Sequence, residues 1–177
     1  MRIGFHNRRF ERGASTLEMT LVGIPIIFVM ISIFEISRGM WMYETAAHAV
    51  REGVRFAIVH GLDCKNNPPS ITNNCLTTVG GVSTVISNNA VGLDPTTTQL
   101  TFTSPAPNGA QITCVLQSCL ADTTQWPPAI SNAKGVQLRI DIVTPFPSAL
   151  AMFWPGGGQA SFGTVNLGAS SSDAIQF

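Results

Sequence analysis

The most constraining feature of this chain is a basic cluster followed directly by an apolar run of membrane length. Residues 1–13 hold four arginines and one glutamate, which gives this segment a net charge of +3. Residues 14–34 then form a run of 21 residues whose only charged side chain is Glu18. A helix that rises ~1.5 Å per residue needs about 20 apolar residues to cross ~30 Å of hydrocarbon. The run therefore predicts a membrane-spanning helix, and the basic flank predicts a cytoplasmic N-terminus with the C-terminal part outside.

A cleaved secretory signal is the alternative interpretation of this run. Such signals have an apolar core of about 7–15 residues and a cleavage site of the A-x-A kind just beyond it. Here the apolar run is longer, and the sequence E-I-S-R follows it at positions 35–38. Because this junction lacks the small-x-small pattern, we favour a retained span.

The carboxylate of Glu18 is the unusual group within the span. A charged side chain at the centre of a bilayer costs ~2.5–3.5 kcal/mol on insertion scales, and Glu18 lies closer to the interface, where the cost is smaller. In one interpretation the side chain reaches the headgroups or is protonated. In the other, cleavage after Gly13 creates an α-amino group on Ala14, one helical turn from Glu18. That amine, from the same chain or a neighbouring one, would offset the desolvation of the carboxylate.

These residues resemble the processing site of type IV prepilins, in which basic residues, a glycine, a small residue and a glutamate precede an apolar helix. More narrowly, residues 12–61 are similar to the TadE-like pseudopilins of tight-adherence (Flp-type) pilus systems. The shared elements are R-G-A-x-x-[VL]-E at 12–18, a proline within the apolar segment at Pro25, E-x-x-R at 35–38 and R-E-G-x-R at 51–55. The family commonly has Phe after the glutamate, where this chain has Met19.

The resemblance implies a minor pseudopilin that is made as an inner-membrane precursor. It implies cleavage between Gly13 and Ala14 by a prepilin peptidase, and a requirement for Glu18 in assembly. The implied partners are that peptidase, other pilins or pseudopilins, the tight-adherence secretion machinery and inner-membrane lipid. The chain would then have three regions: a leader at 1–13, a membrane and amphipathic helix at 14–60, and an extracytoplasmic domain at 61–177.

The predicted helix continues past the membrane to about residue 59. Apolar residues recur at spacings of 4, 3, 4, 3, 4 and 3, at Ile36, Met40, Tyr43, Ala47, Val50, Val54 and Ala57. This is the period of one helix face. We expect the stripe to pack on the chain's own C-terminal domain, with helices of other subunits as an alternative or additional partner. Pro25 removes one helical hydrogen bond and predicts a bend. The bend is either a passive kink or, as in pilin-like proteins, a segment that loosens when the subunit leaves the bilayer.

The composition changes after Gly61, where Thr, Ser, Asn, Gly and Pro become frequent. Apolar alternation persists, so the segment does not have the signature of disorder. Alternation is clearest at 136–142, which predicts a strand that ends at Pro145-Phe146-Pro147. Further strands are predicted at 99–104, 112–116 and 162–169, and a short helix at 82–90. The predicted fold class is α+β, with the long N-terminal helix packed against a small antiparallel sheet, as in pilins.

The four cysteines all fall in the part of the chain that is predicted to lie outside the membrane. They are Cys64, Cys75, Cys114 and Cys119. An even number of cysteines in an oxidising compartment predicts disulfide bonds, and three connectivities are possible. We favour Cys64–Cys75 with Cys114–Cys119 because each pair closes a local loop. Zinc is the competing interpretation, but the sequence has no C-x2-C pair and its histidines lie apart from the cysteines. We expect no metal and no other cofactor.

The sequence gives little support to an enzyme or a nucleic-acid-binding protein. It contains no H-E-x-x-H, no G-x-S-x-G and no phosphate-binding glycine motif, and its last histidine is His60. Without residues 1–13, six Lys and Arg face nine Asp and Glu, a net charge of −3 that disfavours nucleic acid. We therefore predict a structural assembly component that is not an enzyme. The alternative is a permanently anchored extracytoplasmic binding or adhesion module outside any pilus.

Overall fold

The computed structural model describes residues 11–61, 77–105, 111–148 and 164–176, with side chains from Ser15 onward. The elements are α1 (Glu11–Ile58), α2 (Val79–Asn89), β1 (Gln99–Thr103), β2 (Gln111–Val115), α3 (Leu116–Cys119), β3 (Gln137–Pro147) and β4 (Thr164–Ala174). A short 3-10 turn at Ala129–Ser131 precedes β3. The predicted α+β class, a long N-terminal helix with a small antiparallel sheet, is confirmed.

The sheet is antiparallel and has the strand order β2-β1-β3-β4. Side chains alternate between its two faces because successive residues of a strand point in opposite directions. One face is buried, and its largest members are Leu100, Phe102, Leu138, Ile140, Ile142 and Phe146. Helix α1 packs against β3, β4 and α2, so the core lies between the sheet and the two longer helices.

Strand β3 ends at Pro147, as the Pro145-Phe146-Pro147 motif predicts, but the motif itself belongs to the strand. Strand β3 continues through Pro147 and pairs with β4 along its whole length. The other neighbour, β1, stops earlier, at the pair between Gln99 and Val143. Proline cannot donate a backbone hydrogen bond, so it is tolerated where one side of a strand has no partner. The two prolines occupy such a stretch.

The other predicted elements of the domain are present with shifted ends. The strand predicted at 112–116 is β2, and its last predicted residue, Leu116, instead begins α3. The strand predicted at 162–169 corresponds to β4, which the structure describes from Thr164 and which continues through a polar serine run to Ala174. Residues 162 and 163 lie outside the described part. The short helix predicted at 82–90 is α2, which begins at Val79 because Thr78 caps it, the Thr78 hydroxyl accepting from the Gly81 N–H at 3.1 Å.

Candidate assembly helix and its junction with the domain

Helix α1 has 48 residues and is the dominant element of the molecule. At ~1.5 Å per residue it is about 72 Å long, more than twice the thickness of a bilayer's hydrocarbon. Its segment Ser15–Ile58 is long and apolar enough to cross a membrane, and its most apolar stretch has no part buried inside the protein. The length, composition and exposure of the N-terminal half of α1, called its lower half below, are those of a membrane-spanning helix.

Hydroxyl side chains in the lower half of α1 satisfy their hydrogen bonds within the helix. The Ser32 and Ser37 hydroxyls donate to the carbonyl oxygens of Phe28 and Ile33, each at 2.8 Å. The Thr20 hydroxyl donates to the carbonyl oxygen of Thr16. A polar group in hydrocarbon is costly unless it finds a partner, and these bonds to the preceding turn supply one. The polar residues are thus compatible with a lipid environment.

The residues of the predicted processing site all lie within α1. The helix begins at Glu11, so Gly13 and Ala14 belong to its first turn, and Glu18 follows about one turn later with an exposed side chain. Pro25 lies within the continuous helix, with helical residues on both sides. Cleavage between Gly13 and Ala14, the role of Glu18 and the predicted bend at Pro25 remain predictions.

The apolar stripe predicted along α1 is only partly covered by the domain. Its upper members Val50, Val54 and Ala57 are at most 1% exposed. Its lower members are not covered by the described residues, with Ile36 64%, Met40 63% and Tyr43 45% exposed. The residues of α1 that are buried against the domain lie on a face that is rotated around the helix from the predicted stripe. They are Met42, Ala46, Ala49, Val50, Gly53, Val54, Ala57 and Ile58. The prediction that the whole stripe packs on the domain is therefore wrong below Ala47.

Small residues explain why the contact face lies where it does. Gly53 is buried, and a Cβ atom there would lie 2.6 Å from Cγ1 of Ile86 on α2. Ile86 is itself completely buried, so it has little room to move away. A glycine at this position lets the two helices approach closely. In the sequence, Gly53 is recognisable only as part of R-E-G-x-R, and nothing local indicates its packing role.

The charged residues of R-E-G-x-R form an ion pair and a hydrogen bond on the surface of α1. Nη1 of Arg55 lies 2.9 Å from Oε1 of Glu52, an ion pair between residues three apart. Nε of Arg51 donates to the carbonyl oxygen of Ala47 at 3.2 Å. Both arginines are exposed. Pairs of this kind contribute only ~0.2–0.5 kcal/mol to a helix, so the packing contribution of Gly53 is the larger one.

Arg38 attaches α1 to the end of the sheet nearest the membrane segment. Its Nη2 donates to the carbonyl oxygen of Pro147 at 3.1 Å, and its Nη1 lies 3.6 Å from Oε1 of Glu35. Its guanidinium carbon lies 4.8 Å from the ring centroid of Phe146. A Cβ on the neighbouring Gly39 would lie 3.7 Å from the same ring. The E-x-x-R element thus joins the helix to β3 about one turn beyond Phe34, a contact that sequence spacing alone does not reveal.

The disulfide between Cys114 and Cys119 is present in the structure and connects β2 to α3. The other favoured pair, Cys64 and Cys75, lies outside the described residues. Among the described residues, no three His, Cys, Asp or Glu side chains are grouped closely enough to hold a metal ion.

Hydrogen bonds lower the pKa of two exposed aspartates in the domain. The Thr96 hydroxyl and N–H donate to Oδ1 of Asp94 at 2.7 and 2.9 Å, which lowers the pKa of that carboxyl. The Thr124 hydroxyl and N–H bond to the carboxylate of Asp122, the N–H to Oδ1 at 2.8 Å, and they lower the pKa of this carboxyl in the same way. In both cases the charged form accepts the bonds and is therefore favoured. These bonds shape turns in the chain.

A surface ion pair lies on the outer face of β3. Nη2 of Arg139 is 2.7 Å from Oδ1 of Asp141, and this carboxylate raises the pKa of the arginine.

Comparison with known protein families finds similarity in the N-terminal part of the chain. The model of the family described as TadE-like protein matches residues 13–55. The matched segment starts at the predicted cleavage glycine and covers both arginine-containing elements of α1. Comparisons with curated proteins and with solved structures give no match.

Proposed function

We propose that this chain takes part in a tight-adherence pilus system as a minor pseudopilin, a proposal supported by the match of residues 13–55 to the model of the TadE-like family. It is made as an inner-membrane precursor and trimmed between Gly13 and Ala14 by a prepilin peptidase. The trimmed subunit acts with other pilins or pseudopilins and with the tight-adherence secretion machinery. Its role is assembly and not catalysis.

The observation that carries this proposal is the form of α1. A family match that begins at Gly13 coincides with a continuous helix whose first half is apolar and exposed. A signal sequence would not need to continue as one helix into the core of the folded domain, as α1 does up to Ile58. A subunit that leaves the bilayer for an assembly needs such a rigid connection between its membrane segment and its domain.

The basic residues at 1–13 support an orientation with the N-terminus in the cytoplasm and the sheet domain outside. This orientation puts the Cys114–Cys119 disulfide in an oxidising compartment, where such bonds persist. The leader 1–13, the helix 14–60 and the domain 61–177 then have separate roles. The leader directs processing, the helix anchors and assembles, and the domain presents the subunit's outer surface.

The test is the intact mass of the full chain recovered from membranes of cells with and without prepilin peptidase. We expect a chain that starts at Ala14 only when the peptidase is present. The variant Gly13→Leu should block this cleavage. Gly23→Leu is the matched control, because no atom lies within 4 Å of a Cβ placed at Gly23, and it should be processed normally.

A second variant separates assembly from processing. Glu18→Gln should insert and be processed as usual, yet fail to enter a complex with other pilus subunits. Glu44→Gln, which changes an exposed acid of the same helix beyond the membrane segment, should assemble normally. A chain that keeps residues 1–13 in both strains would contradict the proposal and favour a permanently anchored binding module. A start beyond Phe34 would show that the apolar run is a secretory signal.

A further inference from the structure

A groove lies between α1 and the end of the sheet that is nearest the membrane segment. Its volume is about 480 Å³, which is within the usual range of sites that bind small molecules. Helix α1 contributes Arg38, Trp41 and Met42 to its lining, and the domain contributes Asp94 and Pro147 among others. We call this cavity the junction groove. The proposed cleavage between residues 13 and 14 uses none of its residues, so the groove needs an explanation of its own.

The junction groove lies at the height of the lipid headgroups. Glu35 and Arg38 are the first charged residues after the apolar run, so the hydrocarbon ends near Phe34. Arg38 and Trp41 follow at ~6 and ~10 Å along the helix axis, and the headgroup layer is about 5–8 Å thick. Because Arg38 donates a hydrogen bond to the carbonyl oxygen of Pro147, this end of the domain is held at the same height. The groove is therefore adjacent to lipid on the domain side of the bilayer.

Apolar side chains make up much of the groove. Met42 and Pro145 both line it, and Met42 is buried. Trp41 is 52% exposed, although its ring packs against the loop after α2. A Cβ on Gly92 would lie 2.6 Å from Cη2 of Trp41, and Gly92 has a φ of +84°. An indole at this height is typical of a contact with the membrane interface, so the groove offers an apolar surface to the upper part of a lipid.

The polar part of the groove carries one positive and one negative charge, on Arg38 and Asp94. The contacts of Arg38 with Pro147 and Glu35 involve Nη2 and Nη1, and a guanidinium has five N–H groups, so N–H groups remain for a further acceptor. Both bonds that Thr96 donates to Asp94 go to Oδ1, which leaves Oδ2 to accept from a ligand. The same bonds lower the pKa of Asp94 and keep it charged near neutral pH.

We propose that the junction groove binds the headgroup of a zwitterionic phospholipid, with the phosphate at Arg38 and the ammonium group at Asp94. An anionic lipid without an amine fits less well, because it has no cation for Asp94. Glu35, whose Oε1 lies 3.6 Å from Nη1 of Arg38, adds a second negative charge at this end of the domain. A headgroup that carries both charges therefore complements the groove better than one that carries only a negative charge. This goes beyond the proposed function, since it requires membrane insertion but neither cleavage nor a pilus.

Native mass spectrometry of the uncleaved full-length chain in a non-ionic detergent tests the site. The chain is titrated with phosphatidylethanolamine, which is zwitterionic, and separately with phosphatidylglycerol, which is anionic and has the same acyl chains. The fraction with one bound lipid gives an apparent dissociation constant. Asp94→Asn and Arg38→Gln remove the two charges of the groove. Asp122→Asn and Arg51→Gln are the matched controls, because Asp122 accepts the same kind of bonds from Thr124 and Arg51 lies on α1, yet neither lines the groove.

We expect the unmodified chain to bind phosphatidylethanolamine about fivefold more tightly than phosphatidylglycerol, which is the upper end for one exposed ion pair. Asp94→Asn should remove this preference by weakening phosphatidylethanolamine alone, and Arg38→Gln should weaken both lipids. The two controls should bind like the unmodified chain. Arg38 also attaches the helix to the sheet, so Asp94→Asn, at an exposed residue, is the decisive variant. Equal affinity of the unmodified chain for the two lipids, or a preference that survives Asp94→Asn, would overturn the proposal.

Glycerophosphoethanolamine distinguishes a membrane lipid from a soluble phosphate ester, because it has the same headgroup without acyl chains. We expect it to compete only weakly with phosphatidylethanolamine, since it lacks the apolar part that contacts Trp41 and Pro145. Competition at the same concentration as the lipid would show that the groove takes a soluble ligand, and would overturn the proposal. The measurement needs neither peptidase nor pilus. Its failure would therefore leave the proposed function untouched, and a chain that is never cleaved would leave the groove untouched.

Discussion

The two halves of α1 use different kinds of residue to make their contacts. The lower half presents large side chains such as Ile26, Val29 and Ile33, all more than half exposed. The upper half contacts the domain largely through small residues, Ala46, Ala49, Gly53 and Ala57. Small residues let a helix lie close to a sheet and to another helix, whereas large ones fill the looser space of lipid. In this helix, close packing within the chain follows the small residues and not the most hydrophobic face.

The largest contrast between the halves is expected from truncating one isoleucine in each. Ile58→Ala should lower the free energy of unfolding of the domain by about 2–5 kcal/mol, the usual cost of removing a buried aliphatic side chain, since Ile58 is 5% exposed. Ile33→Ala, at a residue 58% exposed, should leave that free energy unchanged. Denaturant unfolding in mild detergent, followed by near-UV circular dichroism, measures both. If both variants lost the same free energy of unfolding, the two halves of α1 would contribute equally to the stability of the domain.

Replacing one glycine in each half of α1 tests the same difference in their contribution to domain stability. Gly53→Ala should cost about 1–3 kcal/mol of domain stability, the usual range for overpacking, because the new Cβ would lie within 3 Å of two Ile86 atoms. Gly23→Ala meets no atom within 4 Å and should leave domain unfolding unchanged. The same unfolding measurement applies. Combining Gly53→Ala with Ile86→Val, which removes Cδ1 but keeps the nearer Cγ1, should recover part of the loss. A loss from Gly53→Ala no larger than that from Gly23→Ala would show that Gly53 is not needed for the close approach.

The sequence predicts the helix, the class of the fold and the strands well, but it misplaces contacts that depend on close packing. Periodicity selected Ile36, Met40 and Tyr43 because they are large and apolar, although the domain contacts the neighbouring face through Ala46 and Gly53. Hydropathy measures the tendency to leave water, which lipid or another chain satisfies as well as the chain's own core. Only the distances between elements show which of these partners each residue has.

The two ends of β3 illustrate the same limit for the sheet. Alternation predicted the first part of the strand, because residues 137–142 alternate regularly between buried and less buried positions. The continuation through Pro145 and Pro147 is possible because pairing with β1 stops at the pair between Gln99 and Val143, a tertiary fact that no local rule contains. The Arg38 contact with Pro147 is equally non-local, as 109 residues separate the two. From the sequence, the spacing of the E-x-x-R element predicts only an ion pair within the helix. The structure shows that its arginine also attaches the helix to the sheet.

A smaller effect is expected where the two halves of α1 meet, at Arg38. Arg38→Ala removes the hydrogen bond to Pro147 and the contact with Phe146, and it should lower domain stability by about 1 kcal/mol. A hydrogen bond from a charged donor contributes about 1.5–3 kcal/mol, and the half-exposed position of this arginine reduces that value. Arg51→Ala is the matched control, because its described side-chain bond stays within α1. If the two variants lost the same stability, the attachment at Arg38 would have no special contribution.

The smallest effect concerns pH, and it should appear in the domain without involving the membrane half. Hydrogen bonds from Thr96 and Thr124 lower the folded-state pKa of Asp94 and Asp122. A carboxyl whose pKa is lower in the folded state stabilises the fold above its unfolded pKa, and this contribution is lost as pH falls through the folded pKa. The melting temperature of the domain should therefore be insensitive to these groups near neutral pH and decline in the acid range below the ordinary pKa of aspartate. Asp94→Asn should make the acid decline shallower, because the variant cannot be protonated at this site. If the slope of melting temperature against pH were unchanged in Asp94→Asn, the Thr96 bonds would not favour the folded state. Ile33→Ala is the control, because it changes only the membrane half and should leave the dependence of melting temperature on pH as it is.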